Sequence, residues 1–300
     1  MAMLNKRKDK LFYFLLYLFF ALVCACFIIP LLVVISASFT SENELLSGGF
    51  SLFPKELTTA AYQSAFKNSE KMIRAYLVTI AESFGGTFLT CVVCGMIGYA
   101  LSRSSFRFKK PITWVVMFTM LFSAGMIPTY IVYSKYYHIS NSFWIYILPG
   151  ITGGAWNTMV FRTFFRTLPE SLFESARLDG ANELTIFFKI VIPLSTPVFA
   201  SLGFMMLVGK WNDYTTSMIY IRNENLYTLQ YLLQKIMSES EFLKSMAQAG
   251  MVGISLDAFS RPSETLKFAM CIIAAGPMLV IFPFFQKYFS QGLTIGAVKG

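Results

Sequence analysis

Charge is scarce in this chain. Of 300 residues, 14% are Asp, Glu, Lys or Arg, whereas 55% are hydrophobic. An ordinary soluble domain carries about a quarter charged residues, so that class is excluded. Histidine is scarcer still: His138 is alone and falls in a short polar loop where solvation accounts for it. No serine–histidine constellation or carboxylate pair stands in a plausible catalytic setting, which argues against a membrane enzyme. No G-x-x-x-x-G-K-[ST] phosphate loop occurs either; Gly209-Lys210 is followed by Trp211 and lacks the first glycine. The chain therefore cannot hydrolyse ATP by the P-loop route, and ATP-derived energy would have to come from another subunit. Cys24, Cys26, Cys91, Cys94 and Cys271 all lie within apolar runs and give no disulfide framework. Cys91 and Cys94 have metal-like spacing but no histidine support, so they read as small packing residues, and no metal site is expected.

What is present is long apolar sequence. A run of about 20 residues crosses a hydrocarbon core of roughly 30 Å. Six runs qualify: Leu11 to Ser36, Ala75 to Leu101, Ile112 to Tyr133, Ser142 to Phe165, Ile190 to Ile221 and Leu266 to Phe289. The expectation is an all-α polytopic membrane protein with six transmembrane helices. Its membrane domain covers 11–289, between an N-terminal segment 1–10 and a tail 290–300. The first run holds 26 residues, longer than the apolar core of a signal peptide at about 7 to 15, and reads as a span. Pro149 with Gly150, Gly153 and Gly154 interrupts the fourth run, marking close packing or a broken helix beside a cavity.

Basic residues set the orientation. One set of alternating loops holds 14 of the 25 Lys and Arg residues, among them Lys6, Arg7, Arg103, Lys110, Arg162, Arg177 and Lys299, against five acids. The positive-inside rule places that side, with both termini, in the cytoplasm. A rim of Lys and Arg against lipid headgroups also accounts for the net charge of +9, so no nucleic-acid partner is expected.

On the same side lies Leu168 to Pro197, reading L-P-E-S-L-F-E-S-A-R-L-D-G-A-N-E-L-T-I-F-F-K-I-V-I-P-L-S-T-P. Pro169 suits a helix start, Leu172, Phe173 and Ala176 recur at helical spacing, and Asp179-Gly180 is a stop signal. Asn182 can cap a second helix running through Ile186 and Ile190. Glu174-Ser175-Ala176, Asp179-Gly180-Ala181, Ile190 and Pro193 resemble the E-A-A, D-G-A, I-x-L-P signature of bacterial ATP-binding-cassette importer permeases, with Ser175 for the second Ala and Ile192 for the Leu. The resemblance implies a coupling helix within loop 168–190, between spans four and five, that docks in a cleft of a cytoplasmic ATPase subunit. There Leu172, Phe173 and Ala176 would fill the groove, Glu174 would meet a basic residue at its rim, and Gly180 would set the angle between the helices. It further implies a second permease subunit, two copies of the ATPase carrying ATP and Mg, and an extracellular solute-binding protein, in a bacterial plasma membrane.

Four further features bear on function. Glu82 in the second run lines a translocation path, or lies near the outer end and is hydrated or paired there. Trp211-Asn212-Asp213-Tyr214 resembles W-N-[DE]-[FY] strings of the same permeases; it could hold a sugar ring and its hydroxyls, or form an interfacial cap. The outer loop 222–265 resembles the region that meets the binding protein in sugar permeases. The terminus, with Gly292, Leu293, Thr294 and Lys299, resembles the G-L-T-x-G-x-V-K-G tail of the maltose-type subunit, which implies a place between the two ATPase subunits; a frayed end is the alternative. The expected function is import of a carbohydrate, expected to be an oligosaccharide, with no cofactor bound by this chain. The alternatives are import of a peptide or polyamine, and an ion-coupled carrier.

Overall fold

In lipid a backbone must satisfy its own hydrogen bonds, and apolar runs of this length do so as helices. The computed structural model describes residues 6–67, 69–152, 154–248 and 264–295. Among them the chain is helical, with an isolated bridge between Thr40 and Leu57 and no named strand. In order the main helices are α1 (Lys6–Ser38), α2 (Glu42–Gly48), α3 (Ala60–Ala65), α4 (Ser69–Ser102), α5 (Lys109–Leu121), α6 (Met126–Tyr136), α7 (Leu148–Thr152) and α8 (Ala155–Phe165). Then follow α9 (Glu170–Leu178), α10 (Glu183–Leu194), α11 (Thr196–Trp211), α12 (Thr215–Tyr220), α13 (Leu229–Gln248) and α14 (Glu264–Ile295).

The chain divides into two compact units. One comprises α1 to α3, the later part of α13 and the first part of α14. Apolar side chains of α1 such as Phe12, Phe19 and Phe27 are more than half exposed, the surface a lipid-facing helix offers. Within this unit the Glu42 carboxylate accepts hydrogen bonds from the Glu264 and Thr265 amides, each at 3.0 Å, and from the Thr265 hydroxyl at 2.9 Å. A carboxylate there satisfies the free donors at the start of α14 and complements the positive end of its dipole.

The other unit comprises α4 to α12, the start of α13 and the end of α14. Its axis is α4, which contains a π-helical turn over Ala81–Gly86 and lies directly against α8. The approach depends on Gly98: a Cβ there would stand 2.8 Å from the Phe161 Cβ and 3.0 Å from the Arg162 amide nitrogen. Around this crossing Tyr99, Phe161, Phe165, Phe173, Ile186, Phe187 and Val191 bury one another.

Three of the six runs are not straight spans. Helices α1, α4 and α14 are long and apolar enough to cross a membrane unbroken. The third run breaks into α5 and α6, bent by 114°, across Phe122 to Gly125, where Gly125 holds φ +83°. The fifth breaks between α10 and α11 by 84°, at Ser195 between Pro193 and Pro197, two residues that supply no amide hydrogen to a helix. The fourth is interrupted beyond Pro149 as its glycines foretell, with α7 ending at Thr152 and α8 beginning at Ala155. Gly153 lies outside the described residues.

Candidate functional site

The segment Leu168 to Pro197 folds as two helices around a glycine. Helix α9 begins one residue after Pro169 and ends at Leu178. Gly180 has φ +80°, the left-handed conformation in which a Cβ is disfavoured, and the Ala181 amide returns to the Ala176 carbonyl at 2.9 Å. The Asn182 Oδ1 accepts from the Thr185 amide at 2.8 Å, capping α10.

One face of α9 is fixed to the protein. Phe173 and Ala176 are buried, Phe173 completely, against Tyr99, Phe165 and Phe187. Arg103, 4% exposed, lies with its guanidinium 4.0 Å from the Phe173 ring centroid. It donates to the Phe165 carbonyl at 2.8 Å and to Glu170 at 3.0 Å. On the far side of the turn Glu183 accepts from the Tyr99 hydroxyl at 2.6 Å and from Arg177 Nε at 2.9 Å. Burial alone would raise the Glu183 pKa, but these two donors and the adjacent Arg177 and Arg103 charges outweigh it and hold the carboxyl below its ordinary value. The same contact raises Arg177.

The opposite face is free. Leu172, Glu174, Ser175 and Leu178 are exposed, Leu178 at 89%, and so are Asp179 and Gly180. This corrects the expectation that Phe173 and Ala176 fill a partner's groove: Tyr99, Phe165 and Phe187 already occupy that side. Ala181 and Ile190 are half-buried against the same core, whereas Pro193 is exposed. Arg103, Tyr99, Glu170 and Glu183 escaped sequence reasoning. A basic residue just past an apolar run signals orientation, and nothing local to Arg103 points to Glu170, 67 residues on.

A second polar constellation sits farther along α4. Glu82 is about 30 Å from Arg103 at 1.5 Å per helical residue. It is 1% exposed, so an openly hydrated carboxylate is corrected to a buried one; Lys210 and Asp213 are the charges acting on it. Lys210 donates to the Tyr146 carbonyl at 2.7 Å and crowds Gly86, where a Cβ would stand 2.9 Å from its Nζ. Ser83, Thr87 and Thr90 lie at helical spacing on α4; their hydroxyls and Glu82 Oε2 are buried with no hydrogen-bond partner among the described residues. A buried polar atom left so costs about 1 to 3 kcal/mol.

The Trp211 to Tyr214 string divides by role. Trp211 is buried, its ring centroid 6.5 Å from that of Tyr76, so it presents no face for stacking a sugar. Asp213 receives the Thr215 hydroxyl at 2.8 Å and the Thr216 amide at 3.1 Å, holding the start of α12. Asn212 and Tyr214 are exposed. In the tail, Gly292, Leu293 and Thr294 belong to the last turns of α14 by backbone, and Lys299 lies outside the described residues.

Comparison with known proteins places these features in a family. The chain is 36% identical to the polygalacturonan/rhamnogalacturonan transport system permease protein YtcP of Bacillus subtilis (strain 168), over 98% of this chain and 100% of that one. It is 29% identical to the arabinooligosaccharides transport system permease protein AraQ of the same organism, over 94% of each. A chain of a bacterial ABC transporter involved in the import of the acidic polysaccharide alginate superposes with a TM-score of 0.79 at 26% identity, covering 96% of this chain and all of that one. Residues 1–295 match the family model for the binding-protein-dependent transport system inner membrane component, and the chain is a membrane protein of that family.

Proposed function

We propose that this chain is the permease subunit of an ATP-driven, binding-protein-dependent importer of an oligosaccharide. The relatives named for saccharide transport support this reading over a peptide or polyamine importer or an ion-coupled carrier. In this reading the chain crosses the membrane six times, several of the spans being bent, and both termini and the α9–α10 loop lie in the cytoplasm, a side the positive-inside rule supports. The loop docks on one of two separate ATPase subunits, which carry ATP and Mg. A second permease subunit completes the path, and an extracellular binding protein delivers the sugar. The tail residues Gly292, Leu293, Thr294 and Lys299 reach toward the ATPase pair.

The observation that carries the mechanism is the two-faced α9. Its inner face is fixed by Arg103, Phe173 and the Tyr99–Glu183–Arg177 contacts, and its outer face offers Leu172, Leu178 and the Glu174 carboxylate. A helix bound this way transmits displacement: a push on Leu178 moves Arg103 and Phe173 with it, and through them the loop ends of α4 and α8. ATP-driven closure of the ATPases thereby becomes a movement of membrane helices. The path itself uses Glu82, Lys210 and the Ser83, Thr87, Thr90 face of α4, with Asn212 and Tyr214 contacting sugar and Trp211 and Asp213 shaping the element that bears them. Co-purification of the tagged chain with its ATPase, followed by ATP-dependent uptake of labelled oligosaccharide into vesicles, tests the reading. Uptake driven equally well without ATP hydrolysis would refute it.

A further inference from the structure

Beside the proposed coupling loop the ends of α4, α5 and α8 line an open cavity of about 580 Å³. Its polar wall carries Lys109, Lys110, Arg162 and Arg166. Among the described residues none of these four lies within ion-pair distance of a carboxylate. Glu170 also lines the cavity, but its oxygens face Arg103 at 3.0 Å and Arg177 at 3.9 Å. Arg103 lines the cavity as well, so the site holds five cations and one acid; Arg103 pairs with that acid, and the other four cations are left without a counter-charge among the described residues. Lys109 Nζ contacts the Ser104 carbonyl at 3.1 Å and Arg162 Nε the Leu101 carbonyl at 3.3 Å, which positions both without neutralising them.

The other wall is apolar. Thr113, Trp114 and Met117 line it one and two turns along α5, and the helix continues with exposed Phe118 and Leu121. A cluster of cations opening onto an apolar helix surface has the shape of an amphiphile: an anionic head in the cavity, a hydrocarbon tail along α5. We propose that this cavity binds the phosphate headgroup of an anionic phospholipid, with Lys110 and Arg166 as its outer cations and Trp114 at the level of the glycerol backbone. The inference needs the chain's membrane placement and not its docking to an ATPase. It gives the coupling loop a lipid neighbour, since the cavity reaches Leu168 and Glu170 at the entry to α9.

The test uses the assembled transporter in nanodiscs of phosphatidylcholine containing photoactivatable phosphatidylglycerol, or photoactivatable phosphatidylcholine for comparison, with labelled peptides mapped. The expected result is preferential phosphatidylglycerol labelling of the α5 and α8 peptides. Each basic residue near an anionic surface contributes about fivefold, so the exposed-residue double variant Lys110→Gln, Arg166→Gln lowers it about thirtyfold. Lys110→Arg with Arg166→Lys retains it. Equal labelling by the two lipids, or undiminished labelling of the Gln double variant, overturns the proposal. Abolition of labelling by excess inorganic phosphate reassigns the cavity to a free anion and overturns the lipid assignment. Loss of the ATPase subunit from the Gln double variant, with lipid labelling unchanged, makes the patch a protein contact and does the same.

Discussion

Removing Arg103 isolates the anchoring of α9 from the face that α9 presents. In Arg103→Ala the Phe165 carbonyl loses its 2.8 Å donor, Glu170 loses its 3.0 Å partner, and the Phe173 ring loses the cation 4.0 Å away. A hydrogen bond from a charged group contributes about 1.5 to 3 kcal/mol, and a largely desolvated cation–π contact about 1 to 2. Glu170 is 44% exposed and retains Arg177 at 3.9 Å, so its share falls toward the surface ion-pair range of about 0 to 1 kcal/mol. These contributions overlap, and a net loss of about 3 kcal/mol in docking α9 is expected, roughly a 150-fold rise in its released population. Hydrogen exchange on the purified complex reads this directly: amides of Phe173 to Leu178 exchange about a hundredfold faster, while those of α11 are unchanged. ATP hydrolysis continues but transport per ATP falls. Arg103→Lys restores part of the protection, since it keeps the charge but not the planar fork. Unchanged exchange in α9 together with unchanged transport per ATP would refute the anchoring argument.

Three further outcomes follow from the same geometry. Gly180→Ala meets no atom within 4 Å of the new Cβ, so its effect is backbone strain alone, about 1 kcal/mol at φ +80°; hydrogen exchange across Asp179 to Thr185 should rise about fivefold with the chain otherwise intact. The depressed Glu183 pKa makes its contacts stabilising above the ordinary carboxylate range and lost as pH falls below it through the folded value; the same amides should be protected at neutral pH and lose protection as the pH is taken below the ordinary carboxylate range, and Glu183→Gln should flatten that dependence. Lys210→Met removes the donor to the carbonyl of the buried Tyr146 and the cation acting on Glu82, and the lost charged hydrogen bond alone is a change of about 1.5 to 3 kcal/mol; thermal unfolding in detergent should show that loss, and Glu82→Gln in the same chain should recover only the share that came from the carboxylate.

The local chemistry of the α9–α10 segment was legible residue by residue. Asp179-Gly180 announces a helix stop and Asn182 a cap, and both depend on their own and adjacent backbone. The inward turn of Phe173 was not legible, because helical spacing shows that Leu172, Phe173 and Ala176 share a stripe but not what covers it. Among the covering groups, Tyr99 comes from the end of α4 and Arg103 from the residue just beyond it, and their approach depends on tertiary packing through Gly98. Hydropathy located the apolar runs but not the bends at Gly125 and Ser195, since a window average registers composition and is blind to a missing amide hydrogen or a left-handed residue. Trp211 illustrates the same limit: an interfacial tryptophan and a buried one have identical neighbours in sequence, and it is the packing around the ring, Tyr76 included, that distinguishes them.

Coupling to an ATPase, as proposed, depends most directly on the exposed face of α9. Leu178, 89% exposed, and Glu174, also exposed, make no side-chain hydrogen bond or ion pair among the described residues, so Leu178→Asp with Glu174→Lys should leave the folded permease unchanged. The measurement is binding-protein-stimulated ATP hydrolysis by the reconstituted complex, with ATPase stoichiometry determined on the same preparation. Loss of the ATPase subunit, or a fall in stimulation of at least about tenfold from burying two mismatched charges in a docking groove, is the predicted result. Normal stoichiometry with normal stimulation would show that this helix is not the coupling element.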